Sequence, residues 1–349
     1  MSSVEVRRFA RNSEFDVAHP EVGLPAERLD ADMRHVLSVL ESMGGKRIEE
    51  CRSTEARALP TLDMALRRIL RDQVDDMGVS MEMRLITGHT GELRARIYVP
   101  QNDIVVGSRP MILFLHGGNF ILGDVDNYDA SPRALAARTG AVVISSHYRQ
   151  APEHRFPAAH EDAWAAWQWV LEHAETLGAD PRRAAIVGED SGANLAVNVA
   201  LRAKAEGKAM PLHLGLVTPM AAMLFDLPSH RQNAGTFPYS TATLEWAARK
   251  LFRSKDDAHD VRMNIAGRLD LEGLPPATVI LADADPLRSE GEALADALRR
   301  SGVWVDETLY EGVTHGFFGL YRVVNKAMFA HGQLSRNLAA AFGAWPHRP

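Results

Sequence analysis

Three polar side chains, each placed just after a short apolar run, could supply a nucleophile, an acid and a base. Asp190 follows the run Ala185-Ile-Val, Asp285 follows Ala277-Thr-Val-Ile-Leu, and His315 follows a strand-like segment that ends near Tyr310. In such a set the histidine takes up a proton, while the second acid orients the imidazole ring and stabilises its cation. The order nucleophile, acid, histidine predicts hydrolytic or proton-transfer chemistry.

The turn that carries Asp190 has the pattern of a nucleophile elbow. Asp190 lies midway between Gly188 and Gly192, and an alanine-rich segment with helical character follows. Small residues at these positions let a strand and a helix approach closely, and the central side chain then projects above the sheet. The helix N-terminus beneath adds free N–H groups and a positive dipole potential. The common form of this turn has serine where this chain has Asp190.

A second glycine turn predicts an oxyanion hole. Gly117, Gly118 and Asn119 follow His116 and the buried-strand run Met111-Ile-Leu-Phe-Leu. Without Cβ atoms, such a turn can aim backbone N–H groups at a developing negative oxygen. The N–H of Ser191, the residue after the elbow, would complete the set. We therefore expect these four residues to form the oxyanion region.

An aspartate at the elbow changes the expected reaction. We expect the Asp190 carboxylate to be ionised, since it lies at a helix N-terminus near a potential imidazolium. Attack of the Asp190 carboxylate on an ester would form an anhydride and would have to expel a poorer leaving group than the carboxylate itself. Serine-type ester hydrolysis is therefore disfavoured. Attack on a saturated carbon, by opening an epoxide or displacing a halide, forms an ester instead. Water activated by His315 could then cleave that ester.

Three other interpretations stay open at this point. Asp190 could act as a base beside the oxyanion hole, as a lyase, cyclase or isomerase would require. Ser191 could be the nucleophile if the turn shifted by one residue, although Ala193 would then occupy the second glycine position. The protein could also bind a ligand without turning it over. The presence of both Asp285 and His315 argues against a binding-only protein, because ligand binding alone has no evident need for both residues.

Alternating strand and helix patterns would bring these residues together. Period-two segments on either side of His89-Thr-Gly91 predict a β-hairpin, and short apolar runs separated by helical segments follow it. This alternation predicts an α/β fold with a mainly parallel central sheet and helices on both faces. The carboxyl ends of parallel strands share one edge, so Asp285 and His315 should lie on the same edge as Asp190.

The chain divides into a helical N-terminal segment, residues 1–77, and an α/β domain, residues 78–349. The domain is interrupted at about residues 220–272 by an aromatic-rich insertion that is too long for an ordinary loop. We expect both additions to form a helical cap over the strand ends, where substrate pockets are usually built. The candidate substrate-binding residues are Phe120, Phe237, Tyr239 and Trp246.

Composition limits the class of partner. The 349 residues include 46% hydrophobic residues and carry a formal net charge of -6. No basic stripe suggests nucleic acid, no apolar run reaches the ~18 residues of a membrane span, and no N-terminal signal core is present. Cys51 is the only cysteine, which suits a reducing compartment. We expect a cytoplasmic protein with a small-molecule substrate and no metal or organic cofactor, and we allow for a homodimer.

Five segments of the sequence resemble the hormone-sensitive-lipase family of α/β-hydrolases, which includes bacterial esterases and arylacetamide-deacetylase-like enzymes. In family order, they are His116-Gly-Gly-Asn-Phe, the Tyr148 to Ala159 segment, the elbow, Asp285-Pro-Leu-Arg-Ser-Glu-Gly-Glu and His315-Gly-Phe. The resemblance spans roughly Met81 to Leu320. It implies a capped α/β-hydrolase fold and an esterase-like hydrolase acting on a small or medium apolar substrate, with Asp190 in place of the nucleophilic serine.

The elbow also resembles a second group of enzymes. Gly188-x-Asp190-x-Gly192 is similar to the turn of epoxide hydrolases and haloalkane dehalogenases, which are other branches of the same fold. By this resemblance, Tyr239 is a candidate acid for epoxide opening, and Asn119 and Trp246 are candidate donors to a halide. The plant gibberellin receptors of the hormone-sensitive-lipase family are the model for the binding-only alternative.

Overall fold

Eight strands form a single sheet in the computed structural model, which describes residues 28–71, 73, 76–101, 109–223 and 225–343. The strands are β1 (Val79–Gly88), β2 (Gly91–Pro100), β3 (Arg109–Leu115), β4 (Val142–Ser146), β5 (Ala179–Glu189), β6 (Leu214–Val217), β7 (Ala277–Ala284) and β8 (Val305–Thr314). Their order in the sheet is β1-β2-β4-β3-β5-β6-β7-β8. The β1–β2 and β2–β4 pairs are antiparallel and the remaining pairs are parallel, which confirms the predicted mainly parallel sheet.

Helices connect the strands and cover both faces of the sheet. The helices are α1 (Ala31–Ser42), α2 (Ser53–Ala56), α3 (Leu62–Ile69), α4 (Ala130–Thr139), α5 (Ala158–Glu172), α6 (Ser191–Ala205), α7 (Pro228–Gln232), α8 (Thr241–Leu251), α9 (Lys255–Ala258), α10 (Arg288–Arg300) and α11 (Asn325–Ala341). The predicted hairpin is present, since Gly88 pairs with Gly91 across its turn. The helices predicted before α6 and at the C-terminal end are present as well.

The core lies on both sides of the sheet because the central strands are apolar on both faces. Every residue of β3 is buried, and successive side chains point to opposite faces. Ile112 and Phe114 pack in the layer that contains α1, α4 and α11, whereas Met111 and Leu113 pack in the layer that contains α5, α6 and α10. A parallel sheet requires this two-sided burial.

The register of the last two strands brings two predicted site residues side by side. Ala284 at the end of β7 pairs with Thr314 at the end of β8, after a shift in register near Ala282. Asp285 and His315 are the next residues on the two strands. The sheet therefore positions the acid and the histidine at one edge, as the strand pattern predicts.

The N-terminal segment and the insertion contact each other above the sheet. The Trp246 indole N–H of α8 donates to the Cys51 carbonyl oxygen at 2.9 Å, and the Thr243 hydroxyl donates to the Glu49 carboxylate at 3.0 Å. The insertion contains α7, α8 and α9. Residues 1–27, which the sequence analysis assigns to the same helical segment, lie outside the described residues. Within the described part of the chain, no helix has the length and hydropathy that a bilayer crossing requires.

Candidate active site

Asp190 occupies the apex of the turn between β5 and α6. Its backbone has φ 52° and ψ -117°, a conformation that L-residues rarely adopt and that strained functional turns use. The turn holds this conformation because its neighbours approach very closely: a Cβ on Gly192 would lie 1.9 Å from the Leu115 carbonyl oxygen. The Asp190 side chain is 1% exposed. The sequence therefore folds locally into the predicted elbow with a carboxyl group at its tip.

The predicted oxyanion region already has an oxygen bound to it. Oδ2 of Asp190 accepts hydrogen bonds from the backbone N–H groups of Gly118 at 2.8 Å and Asn119 at 2.9 Å. Both donors belong to the glycine turn after β3, where Gly118 and Asn119 have positive φ. Oδ1 of Asp190 is buried and has no hydrogen-bond partner among the described residues. One carboxylate oxygen is thus fixed in place and the other is free to react.

Asp285 and His315, which are predicted to act as an acid–base pair, lie within hydrogen-bond distance of each other. Oδ2 of Asp285 lies 2.9 Å from Nδ1 of His315, and Oδ1 accepts the Leu287 backbone N–H at 2.8 Å. Because Nδ1 is held by the carboxylate, Nε2 is the ring nitrogen left for chemistry. The Tyr239 ring stacks on the imidazole, with centroids 4.0 Å apart and planes inclined by 10°. The ring is therefore fixed by a hydrogen bond at one atom and by stacking on one face.

Ser191 has buried partners of its own. It is the first residue of α6, and its hydroxyl lies 3.2 Å from the Tyr148 hydroxyl and accepts the Phe120 N–H at 3.3 Å. Because Asp190 and not Ser191 has the apex conformation, the structure contradicts the interpretation in which a one-residue shift makes Ser191 the nucleophile. Its backbone N–H remains a predicted member of the oxyanion region.

A cavity of about 450 Å³ opens onto these side chains. Asp190, His315, Phe237 and Tyr239 are among the residues that line it, together with N-terminal segment residues between Leu40 and Asp63. Its size suits a small or medium ligand. Among the residues that the structure describes, no three His, Cys, Asp or Glu side chains are arranged to hold a metal ion.

Two predicted substrate-binding residues lie elsewhere. Phe120 does not line the cavity; its ring packs against Tyr148 and His160 in the core. Trp246 is buried against the N-terminal segment, where the Cys51 carbonyl oxygen satisfies its indole N–H. Neither residue is among those that line this cavity, so the structure does not bring these two predicted residues to the candidate site. Trp246 is also excluded as a donor to a halide.

The chain was compared with families of known proteins and with solved structures. A family model described as the alpha/beta hydrolase fold matches residues 112–319, which is more than half of the chain. The chain belongs to the α/β-hydrolase family. Esterase LipI of Mycobacterium tuberculosis is 36% identical to this hydrolase over 269 residues, 75% of this chain and 83% of LipI. An ethyl acetate hydrolase of Pseudomonas putida is 32% identical over 262 residues, 74% of this chain and 82% of that one.

Solved structures of esterases have the same fold as this hydrolase. A thermostable esterase from Pseudomonas putida superimposes with a TM-score of 0.80 at 30% identity, covering 90% of this chain and 98% of that one. A hyperthermophilic esterase from Pyrobaculum calidifontis gives a TM-score of 0.80 at 31% identity, covering 89% and 98%. These findings confirm the predicted fold class and hormone-sensitive-lipase-like family. The protein is an esterase-like hydrolase.

The hydrolase also has site residues that the sequence analysis missed. Glu189 and Ser131 line the cavity, and Asn233 of the insertion donates from Nδ2 to the Asp285 carbonyl oxygen at 2.9 Å. Glu189 is the residue between Gly188 and Asp190 of the elbow, and its neighbours along the sequence give no sign that it lines the cavity. Asn233 follows α7 and has no sequence signal that connects it to Asp285. These residues become visible only when the tertiary contacts are known.

Close packing of three carboxyl groups around one imidazole shifts their proton affinities. Burial alone would lower the pKa of His315, but the carboxylates of Asp285, Asp190 and Glu189 outweigh it and raise that pKa to about 9. Burial raises the pKa of Asp190 above its ordinary range, although the imidazolium and the two backbone N–H groups oppose the shift. His315 of the hydrolase is therefore an imidazolium at neutral pH, beside the elbow carboxyl group.

Glu189 gives the folded state a pH-dependent cost. Burial raises its pKa from 4.5 to about 7, so between these values the native state holds a proton that the unfolded chain releases. Stability must then fall as pH rises through this window, by about 3 kcal/mol in total. Glu189→Gln removes the titration. We expect the free energy of unfolding of the variant, relative to wild type, to increase by about that amount between pH 4.5 and pH 8.

Urea unfolding of both proteins at several pH values in this range measures the difference. Glu92→Gln, a change at an exposed residue of the β1–β2 hairpin, is the control. Its free energy of unfolding relative to wild type should not change with pH. A constant offset between Glu189→Gln and wild type at all pH values would show that Glu189 does not hold its proton in the folded state.

Proposed function

We propose that the protein hydrolyses a small or medium, mainly apolar substrate at an electrophilic saturated carbon, and that Asp190 is the covalent nucleophile. The observation that carries this proposal is the state of the two Asp190 oxygens. Oδ2 is held by the N–H groups of Gly118 and Asn119, whereas Oδ1 faces no partner among the described residues. Attack by Oδ1 would form an alkyl ester without disturbing the held oxygen.

The same two N–H groups would serve in the second half of the reaction. When water attacks the ester carbon of Asp190, negative charge develops on Oδ2, which is already bound by the two donors. His315 supplies the base for that water, and Asp285 orients its ring through the 2.9 Å contact. Alkylation also removes the Asp190 charge that helps to raise the pKa of His315. His315 therefore loses its proton more easily once the ester has formed, so that neutral imidazole is available to accept a proton from water.

The cavity supports the substrate size, and the cap completes it. We infer that residues of the N-terminal segment and of the insertion form a helical cap, because both contribute to the cavity wall above Asp190. Phe237 and Tyr239 are the insertion residues proposed to contact substrate. A cytoplasmic location and association into a homodimer stay predictions.

Ester hydrolysis is the second candidate, favoured by the esterase relatives. In that reaction the substrate carbonyl oxygen needs the N–H groups of Gly118 and Asn119, and Oδ2 of Asp190 occupies both. An ester would thus have to displace the carboxylate before reacting. This competition makes ester hydrolysis the weaker candidate, and it applies equally to a lyase or isomerase that polarises a carbonyl.

Trapping the intermediate tests the proposed function. His315→Gln removes the base of the second step but leaves Asp190 and its two donors in place. We expect this variant, treated with an aliphatic epoxide and with a 1-iodoalkane, to accumulate one equivalent of adduct by intact-protein mass spectrometry. Peptide mapping should place the adduct on Asp190. Wild type should turn over at least ~100-fold faster than the variant, in line with loss of a general base.

Other outcomes would contradict this proposal in different ways. Turnover of a nitrophenyl ester by wild type, with no adduct from either alkylating substrate, would favour the esterase candidate. Saturable binding without turnover, unchanged by His315→Gln, would indicate a binding protein.

A further inference from the structure

A second carboxyl group lies in the cavity beside Asp190 and is not used by the mechanism above. Glu189 is 3% exposed and lines the cavity, and its Oε1 has no hydrogen-bond partner among the described residues. The hydroxyl of Ser131, on α4, is close enough to oppose the rise in the pKa of this carboxyl group, although neither Oγ of Ser131 nor Oε1 of Glu189 completes a hydrogen bond within the described part of the chain. Buried polar atoms are nearly always hydrogen-bonded in folded proteins. The unsatisfied oxygen of Glu189, a residue of the cavity wall, indicates a place for a polar group of a ligand.

Burial raises the pKa of both adjacent carboxyl groups, but only Asp190 has backbone donors that oppose the rise. Asp190 accepts two backbone N–H bonds, which favour its ionised form, whereas Glu189 accepts none. The groups that face Glu189 are Asp190 of the elbow, His315 after β8, Tyr128 of the loop before α4, and Ser131 of α4. Burial outweighs the opposing effect of His315 and Ser131, so the pKa of Glu189 rises to about 7. The two backbone donors therefore favour Asp190 as the base or nucleophile, and their absence at Glu189 favours that residue as the acid.

We propose that Glu189 is the catalytic acid that protonates an oxygen leaving group, and that the substrate is therefore an epoxide and not an alkyl halide. This inference rests on the proposed function of Asp190. Glu189 supplies the proton that nucleophilic attack alone lacks, because a ring-opened alkoxide is a poor leaving group unless it is protonated as it forms.

Each step balances with these residues. Oδ1 of Asp190 forms a bond to one ring carbon, and the carbon–oxygen ring bond breaks with its electron pair on oxygen. That oxygen takes the Glu189 proton and becomes a hydroxyl. Once the Asp190 charge is lost, the His315 imidazolium releases its proton to solvent. Water then gives a proton to the neutral His315 and adds to the ester carbon of Asp190, and the released alkoxide takes that proton back from His315. The imidazole recovers its first proton from solvent when Asp190 is ionised again. Ionisation of the regenerated Asp190 returns one proton to Glu189, so that epoxide and water become a diol.

The other candidate acid in the cavity is less suited to this role. The Tyr239 hydroxyl, which the sequence analysis suggested, donates its hydrogen to the side-chain carbonyl of Asn119. Burial and the carboxylates of Asp190 and Asp285 raise the pKa of Tyr239 well above its ordinary value. Its proton is therefore both directed away from a ligand and hard to remove. Glu189 lines the same cavity, and its Oε1 makes no hydrogen bond among the described residues.

The test uses two substrates that differ only in their need for an acid. Epoxide opening requires a proton on the leaving oxygen, whereas iodide leaves as a stable anion. Wild type and Glu189→Gln are mixed in turn with 1,2-epoxybutane and 1-iodobutane, and the rate of Asp190 alkylation is followed by quenched-flow mass spectrometry. We expect the epoxide rate to fall about 100-fold in the variant, as for loss of a general acid. The iodide rate should change less than about 3-fold, which also shows that the variant is folded.

Wild type gives a second measurement that needs no variant. Alkylation by the epoxide should decline as pH rises above about 7, where Glu189 loses its proton, while alkylation by the iodide should not. Glu92→Gln should match wild type with both substrates. Equal slowing of both substrates in Glu189→Gln, or an epoxide rate that is independent of pH above 7, would overturn the inference. Absence of any Asp190 adduct in wild type would instead refute the proposed nucleophile, and the inference with it.

Discussion

Replacing Asp190 with asparagine should lower the rate of epoxide or haloalkane turnover by at least ~10⁴-fold, the scale on which loss of a nucleophile reduces catalysis. Asparagine has nearly the same shape, and its side-chain oxygen can still accept the N–H groups of Gly118 and Asn119. The elbow should therefore fold as before. What the variant lacks is the ionised oxygen that attacks carbon. Steady-state kinetics on purified protein, with a thermal melt to confirm folding, measure the effect.

Asp226→Asn is the matched control for this change. Asp226 is exposed on the insertion and does not line the cavity, so its replacement should leave turnover within about 2-fold of wild type. If Asp190→Asn retained more than a tenth of wild-type turnover while the control behaved as expected, Asp190 could not be the nucleophile.

Replacing Asp190 with serine should have the opposite effect on esters. The substitution frees the N–H groups of Gly118 and Asn119 for a substrate carbonyl oxygen, and one such donor is worth about 10²–10³-fold in rate. It also removes a carboxylate that helps to hold the pKa of His315 near 9, so more of the imidazole is neutral at pH 7. We expect hydrolysis of a short nitrophenyl ester to rise at least ~100-fold over wild type.

The double variant Asp190→Ser with His315→Ala should return this ester hydrolysis to the wild-type level, because the serine then has no base. A serine variant without any gain would mean that the turn after β3 cannot bind a carbonyl oxygen. The match to esterases in fold would then not extend to a working oxyanion hole.

The sequence predicts the sheet well because its strands carry strong local signals. The runs that become β3, β5 and β7 are apolar on both faces and are separated by helical segments, which is typical of a parallel sheet. Placing Asp285 beside His315 needed only the rule that parallel strands end at one edge. The shift in register near Ala282, which aligns Ala284 with Thr314, has no such signal.

The parts of the site that the sequence did not predict depend on tertiary contacts. Phe120 is a predicted substrate-binding residue, but its backbone has a φ of 63° and its side chain is buried in the core. Trp246 must satisfy its indole N–H, and its partner is the carbonyl of Cys51, far away along the chain. Likewise, no pattern could indicate that Asp190 itself fills the oxyanion region. A side chain's direction and the proton affinity of a buried group follow from packing that is absent from the local sequence.

The central claim is that Asp190 forms and then loses a covalent ester, and oxygen labelling in a single turnover tests it most directly. Excess enzyme is mixed with substrate in water enriched in ¹⁸O, and both the product and the peptide that contains Asp190 are analysed by mass spectrometry. Because water attacks the ester carbon of Asp190, the account predicts one ¹⁸O in the Asp190 carboxylate and none in the product hydroxyl that forms at the attacked carbon. Label in the product after that first turnover, with none in Asp190, would contradict it.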